Sequence, residues 1–460
     1  MIPIDSALRP NDLMPAIQRM WQLSAHKILA IQADSQRRAG TPVFTVEGRY
    51  TAQGWTEWTQ GFEFGSAVLQ FDATGETDFL EIGRENTFQH MASHLTHLGV
   101  HDHGFNNVST YGNLRRLMLE GRIPFDAREQ AFYELALKAS GAVQAARWSP
   151  TCDGHGFICS FNGPHSLFSD TIRSLRSLGL AHCLGHCLMG ENDQATSLLD
   201  RLIQHARTTA KYNVYYGQGR DVYDVRGRVA HESIFNPHDG RYRCPSTQQG
   251  YSAFTTWTRG LAWIMLGYAE QLEFVQTLPD EELDEWGGRE DIQRMMRRAA
   301  TAACDFYLDS TPTDGVPYWD TGAPGLVLLG DVTSRPADPF NEHEPVDSSA
   351  AAIAAQGLLR LGHYLGSDSE TGSPYWQAGL TVLRTLLDEP YLSTREDHQG
   401  LLLHTIYHRP RGWDHIPTGS SIPRGESCMW GDYHLREACL YLQRIANAET
   451  YYSFFAPAAP

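Results

Sequence analysis

SDTIRSLRSLGLAHCLGHCLMGENDQATSLLDRLIQHARTTAKY, residues 169–212, is the stretch on which the fold turns. Apolar residues recur at the helical period through two segments, over 168–187 and again over 194–212. Only MGEND (189–193) separates them, and its Gly, Asn and Asp suit a tight turn. The stretch therefore reads as a helical hairpin. The connections on either side of it, 143–167 and 213–253, are long and lack a period. Unstructured connections of more than about 12 to 15 residues are uncommon in a compact domain unless they carry function.

The same alternation runs outward in both directions. Helical periodicity predicts helices over 11–32, 58–72, 78–98, 108–120, 126–142, 168–187, 194–212, 254–272, 289–308, 347–364, 374–389 and 430–447. Mostly tight turns follow the even-numbered helices: DATGE (72–76), GRIP (121–124), MGEND and GSDSETG (366–372). Mostly long connections follow the odd-numbered ones: 33–57, 143–167, 213–253, 309–346 and 390–429. The hairpins thus share one sense, and the long connections gather on one rim. Six such hairpins closed on themselves make an all-α (α/α)6 toroid, with the even helices forming the inner ring and starting at the loop-rich rim. An open solenoid has the same alternation but requires clearer internal repeats and polar caps. No low-complexity linker interrupts the chain, so residues 1–460 read as a single domain.

Composition narrows the partners. The chain has 37 Lys and Arg against 54 Asp and Glu, a formal charge of -17. That balance argues against nucleic acid or an anionic membrane as the main partner, and an anionic small substrate needs only a few placed arginines. No apolar run is long enough to span a bilayer. The start, MIPIDSALRPND, has no basic segment followed by an apolar one, so the expectation is a cytoplasmic protein. Eight cysteines without a CxxC pair fit reduced thiols.

Several residues on the loop-rich rim could carry chemistry. THLGVHDHGFNN (96–107) places Asp102 just before an even helix, either as a functional carboxylate or as an ordinary cap. His94, His97, His101 and His103 cluster there too, but no HExxH or Cys pairing accompanies them to indicate a metal site. Asp170 opens the next even helix, where the positive helix end lowers its pKa. A general acid needs the opposite shift, which burial or a second carboxylate such as Asp102 could supply. Taken alone, Asp170 reads equally well as an N-cap. His182 and His186, with Cys183 and Cys187, read as packing.

QQGYSAFTTWTRGLAW (248–263) is the most suggestive segment. Arg259 and Trp263 share a helix face, and Gln249 leads into it. An arginine fork suits a carboxylate, and an indole face suits a sugar ring, which together describe a uronate pocket. The alternative makes Trp257 and Trp263 core and Arg259 a surface charge. His231 in AHESIF, Trp58 in WTQGF, and Trp430 and Asp432 in MWGDY fall at the same rim.

The ordered series WTQGF (58–62), HDHGF (101–105), SDTIRSL (169–175), HES (231–233), QGYSAFTTWTRGLAW (249–263), VPYWD (316–320), DSSAAAIAA (347–355), LLLHTIYHRP (401–410) and WGDYHLREA (430–438) resembles glycoside hydrolase family 88, the unsaturated glucuronyl hydrolases. The resemblance implies an (α/α)6 barrel that removes a 4,5-unsaturated uronic acid from the non-reducing end of lyase-generated fragments by hydrating an enol ether. It implies that Asp170 protonates C4 and helps water attack C5, and that Asp102 holds ring hydroxyls and influences Asp170. His101, His231, Gln249, Arg259 and Trp263 then fall at substrate-contact positions, with Gln249 and Arg259 toward the carboxylate and Trp58 as an aromatic wall. An anionic oligosaccharide is the implied partner of a monomer or homodimer, with no metal or organic cofactor. Three departures bear on substrate identity. Tyr251, Ser252, Ala253, Phe254 and Thr255 stand where an acidic YSDDS-like stretch is expected, Leu261 replaces a Gln, and Phe161 is the counterpart of a Trp. The alternatives are hydrolysis of saturated glucuronides or unsaturated rhamnogalacturonan fragments, a sugar epimerase, and a carbohydrate-binding protein without catalysis.

Overall fold

The structure is a computed structural model that describes residues 2–34, 40–53 and 57–455. Among these, twelve helical segments carry the fold. They are α1 (Pro10–Asp34), α2 (Gln60–Thr74) and α3 (Thr77–His90), then α4, which runs from His103–Asn107 through a π turn into Asn113–Leu119. Next come α5 (Ala127–Ala146), α6 (Thr171–Ser174 and Arg176–Cys183), α7 (Leu198–Tyr212) and α8 (Thr258–Thr277). The last four are α9 (Gly288–Ser310), α10 (Ser348–Leu365), α11 (Ser373–Leu386) and α12 (Met429–Ala446).

The even helices pack in sequence, α2 on α4, α4 on α6, α6 on α8, α8 on α10 and α10 on α12, and α12 returns to α2. That last contact closes the ring and distinguishes a toroid from a solenoid. Burial follows the same division. In α8 and α10 nearly every residue is buried. In α9 the buried residues Ile292, Met296, Ala299, Ala303 and Tyr307 form one stripe, as suits a helix with water on its other side. Small residues let the inner helices approach. A Cβ on Gly61 would lie 2.3 Å from the Asn106 carbonyl oxygen of α4, and one on Gly104 would lie 2.0 Å from that of Ser174 in α6. The glycines of WTQGF and HDHGF are thus required by helix contact.

The helix ends differ from the expectation where short strands intervene. There are nine strands among the described residues: the hairpins β1 (Phe44–Val46)/β2 (Arg49–Thr51), β3 (Trp148–Pro150)/β4 (Gly156–Ile158) and β6 (Cys187–Met189)/β7 (Ala195–Ser197), and a sheet ordered β5 (Ser166–Phe168), β8 (Glu232–Phe235), β9 (Tyr242–Ser246). The MGEND turn is a β-hairpin because Asn192 and Asp193 adopt φ of 54° and 57°, reversing the chain directly. The helix predicted over 168–187 therefore shortens at both ends. The one predicted over 78–98 breaks after His90 and resumes for one turn at Ala92–Leu95, which leaves 96–102 as a loop, and the one predicted from 108 starts instead at His103.

Polar groups fill the ring below the rim. Arg173 of α6 meets Glu270 of α8 at 2.6 Å and Glu437 of α12 at 2.9 Å. Arg176 reaches Glu437 at 3.4 Å. Asp72 of α2 holds Arg116 of α4 at 2.6 Å and Arg444 of α12 at 2.7 Å. At the end away from the long loops, Tyr452 donates to Asn113 and Glu437, while Phe455 packs on Phe274 and Arg176 lies over Phe454.

Candidate active site

The N-terminal ends of the inner helices open into a pocket lined by Trp58, His101, Asp102, Asp170, Gln249, Arg259 and Trp263, seven of the eight site residues singled out in the sequence. Asp102 precedes α4 and Asp170 precedes α6, yet neither side chain caps its helix. Elsewhere caps are made in the ordinary way: Asp126 accepts from the amides of Arg128 and Glu129, and Asp347 from those of Ser349 and Ala350. The two site carboxylates turn instead to His101, whose Nε2 lies 3.3 Å from Asp170 Oδ1 and 3.8 Å from Asp102 Oδ1. Each carboxylate is 8 % exposed, and His101 is 1 % exposed.

That arrangement sets the charges. Burial alone would lower the His101 pKa, but Asp102 and Asp170 outweigh it and raise it above the ordinary 6.5. Burial would raise Asp170, but the charge and hydrogen bond of His101 hold it below its ordinary value. Asp102 is raised, first by burial and then by Asp170, against the pull of His101. The three groups thus favour the charged pair, with Asp170 held toward its carboxylate form and His101 toward its protonated form. The His101 backbone is fixed as well, since its carbonyl accepts from Gln144 Nε2 at 2.9 Å and Ser174 Oγ at 2.6 Å. Arg147 donates to the carbonyls of Leu98, Cys159 and Ser160, tying the Asp102 loop to the segment that brings Phe161 over His101.

His231, the eighth residue, lies one layer behind the lining, between the rings of Phe168 and Trp257. Its Nδ1 accepts from the Gln248 amide at 3.0 Å, which leaves the proton on Nε2. Burial lowers its pKa to about 4, so the ring is neutral near pH 7. Arg259 is 1 % exposed and already engaged. It pairs with Asp347 at 3.0 Å, donates to the carbonyls of Ile406 and Tyr407, and donates to Gln249 Oε1 at 2.7 Å. Its cation lies 4.6 Å from the Trp257 ring centroid and 4.9 Å from that of Trp430. Trp58 stacks on Trp430 at 4.9 Å, and Trp263 packs between Phe105 and His434. Asp432 is structural: it accepts from the amides of Leu401 and Leu402, from Ser427 and from Tyr50.

The wall from the 390–429 connection carries residues to which the sequence gave no role: Tyr407, His408, Arg411 and Trp413. Asp414 accepts from the amides of Tyr407 and His408, and so holds that wall. Arg411 is exposed, with its cation 5.2 Å from the Trp413 ring centroid. The density of aromatic and basic residues in IYHRPRGWDH (406–415) was the signal available for this wall. The clustered histidines turn to separate partners: His94 to Gln60 and Asn106, His103 to Ser140 and the His97 carbonyl, and His101 to Asp170.

A buried carboxylate pair bridged by an imidazole, under a cover of aromatic rings, can exchange a proton with a bound ligand and stack against a ring. Several known proteins have similar chains. No family model matches the chain. It is 24% identical over 441 residues to the unsaturated glucuronyl hydrolase of Bacillus sp. (strain GL1), covering 92% of this chain and 97% of that protein. It is 23% identical over 407 residues to the unsaturated chondroitin disaccharide hydrolase of Streptococcus agalactiae serotype III (strain NEM316). Among solved structures, an unsaturated glucuronyl hydrolase specific for heparin superposes with a TM-score of 0.71 at 18% identity, over 95% of this chain and 99% of that one. The unsaturated glucuronyl hydrolase from Streptococcus agalactiae gives a TM-score of 0.67. The chain is a glycoside hydrolase, similar along nearly its full length to unsaturated glucuronyl hydrolases and sharing the toroid of their solved structures.

Proposed function

We propose that this hydrolase releases a 4,5-unsaturated uronic acid from the non-reducing end of an anionic oligosaccharide, with Asp170 as the acid and base and Asp102 as its substrate-holding partner. The observation that carries the reading is the His101 bridge, which joins the two carboxylates on the pocket floor while neither caps its helix.

Asp170 rests as a carboxylate, so it must gain a proton before it can give one. His101 supplies it along their hydrogen bond. A uronate entering the pocket adds negative charge and displaces water, and both effects favour a neutral carboxyl on Asp170. Asp170 then protonates C4, and positive charge develops on C5 and the ring oxygen. The opposing carboxylate of Asp102 stabilises that charge. Water adds its oxygen to C5 and gives a proton back to Asp170, so the carboxyl is regenerated. The hemiketal at C5 opens to a ketone, and the hemiacetal left at C1 releases the remaining sugar.

Gln249 takes the substrate carboxylate in this account. Its Oε1 is held by Arg259, which directs its amide N–H groups to the ligand. Arg259 acts chiefly through Gln249 and the Ile406–Tyr407 carbonyls. Trp58 and Trp263 provide the apolar faces for the ring, and His231 holds the Gln248 backbone behind them.

The test is spectroscopic. Wild-type protein is expected to remove the ultraviolet absorbance of an unsaturated disaccharide, and Asp170→Asn to lose at least about 10³-fold of that rate, within the range for acid–base groups, with unchanged circular dichroism. Retained activity in Asp170→Asn overturns the assignment. Equal turnover of a saturated aryl glucuronide overturns the hydration chemistry, because a saturated ring has no enol ether to protonate.

A further inference from the structure

We propose that Arg147, at the end of α5, is a positioning residue for the hydration: it clamps the Asp102 loop to the Phe161 segment around His101 and sets a fixed positive charge close to that imidazole. This role rests on the proposed function, because it governs the proton that His101 passes to Asp170.

Arg147 follows closely on Gln144, whose amide donates to the His101 carbonyl at 2.9 Å. The Arg147 guanidinium gathers three carbonyls from two connections. Leu98 belongs to the loop that runs to Asp102, while Cys159, which accepts from Nε at 3.0 Å, and Ser160 lead to Phe161. The Arg147 carbonyl accepts in turn from the Cys159 amide at 2.8 Å, so Cys159 is held through both its backbone groups. Two residues on, the Phe161 ring lies nearly parallel to that of His101, at 18° with centroids 6.1 Å apart. A planar guanidinium with five donors can hold such a fork, whereas a compact ammonium reaches less of it. Loss of the clamp frees both the loop that carries Asp102 and the ring that covers His101.

The acceptors of Arg147 are neutral carbonyls, and among the described residues it pairs with no carboxylate. Its charge therefore reaches the groups around it. Burial lowers the His101 pKa and the two carboxylates raise it above 6.5, while Arg147 pulls it down with burial. Burial and Asp170 raise Asp102, and Arg147 opposes them together with His101. The groups facing His101 are Asp102 on its own loop, Asp170 before α6, Arg147, His205 of α7 and His231 before β8. His97 lies near Asp102 on the same loop. Burial holds His205 at about 3 and His231 at about 4, so both are neutral near pH 7. Arg147 is thus the cation among these groups that opposes the hold of the two carboxylates on the His101 proton. A proton held less tightly passes more readily to Asp170.

The test reads the position of a titration, which a merely structural residue does not move. Arg147→Gln and Arg147→Met both remove the charge, and Gln still donates to one carbonyl, so one variant with wild-type circular dichroism suffices. Arg147→Lys keeps the charge and loses part of the clamp. The His101 imidazole is titrated by NMR without substrate, its signal assigned by its absence from His101→Gln. In the neutral variant that titration, and the alkaline limb of kcat/KM on an unsaturated disaccharide, are expected to move to higher pH by about half a unit or more, as suits a charge acting at an effective dielectric of about 20. Arg147→Lys is expected to keep the wild-type titration while kcat falls at least about tenfold, because small misplacements of reacting groups are costly. A His101 titration unmoved in the neutral variant overturns the charge role, and wild-type kcat in Arg147→Lys overturns the clamp. Failure of the proposed function is read separately, as no loss of absorbance from the disaccharide with wild type, and the NMR titration then still decides the charge role.

Discussion

At the scale of single residues, the proton on His101 is the feature from which the chemistry follows. Its raised pKa means that its bridge to Asp102 and Asp170 stabilises the fold fully below pH 6.5 and is lost as pH rises through the higher folded value. Activity that draws on that proton is expected to fall on the alkaline side with an apparent pKa above 6.5, measured as the pH dependence of kcat/KM. His101→Gln should lower the rate and remove that alkaline limb. An unchanged limb in the variant would place the proton elsewhere. In the sequence Asp102 and Asp170 were indistinguishable from caps, because Asp126 and Asp347 also stand before helices. What separates them is the direction of the side chain, and a partner 69 residues away in the chain sets that direction for Asp170.

At the scale of elements, the helices were legible because each repeats its apolar residues over several turns, whereas the strands were not. Three residues such as Ser166–Phe168 carry no period and become a strand only because Glu232–Phe235 lies beside them. The pocket wall at 407–413 was hidden for a similar reason: Asp414 holds its backbone from below, and Arg259 of α8 from behind. Asp414→Ala leaves the Tyr407 and His408 amides without acceptors, at about 1–3 kcal/mol each. The expected result is a several-fold rise in KM with a smaller change in kcat, while Asp414→Asn, keeping one acceptor, restores part of the loss. The contact between α4 and α6 is less forgiving. Gly104→Ala places a methyl 2.0 Å from the Ser174 carbonyl oxygen, forcing apart the two helices that carry Asp102 and Asp170. Activity should collapse even if thermal unfolding shows a folded protein; a variant with wild-type turnover would mean the helices can separate without disturbing the carboxylates.

At the scale of the whole molecule, alternating connections left the choice between ring and solenoid to packing, and the return of α12 to α2 decides it. Ion pairs bind that closure from inside: Asp72 joins α2 to α4 and α12, while Glu437 joins α12 to α6. Burial would raise both carboxylates, but Arg173 and Arg176 pull Glu437 down, and Arg116 and Arg444 pull Asp72 down. Depressed acids contribute stability that is fully present above the unfolded values of 4.5 and 3.8, and lose it progressively as pH falls from those values through the lower folded ones. Acid unfolding followed by circular dichroism should therefore begin below the ordinary carboxylate range. Glu437→Gln leaves two buried arginines without their shared counter-charge, a loss of about 3–5 kcal/mol by analogy with other broken buried pairs. Its urea midpoint at neutral pH should fall accordingly, and its stability should depend less on pH between 5 and 3 than that of wild type. A variant as stable as wild type would assign the closure to apolar packing of the inner helices alone, with the ion pairs merely tolerated inside the ring.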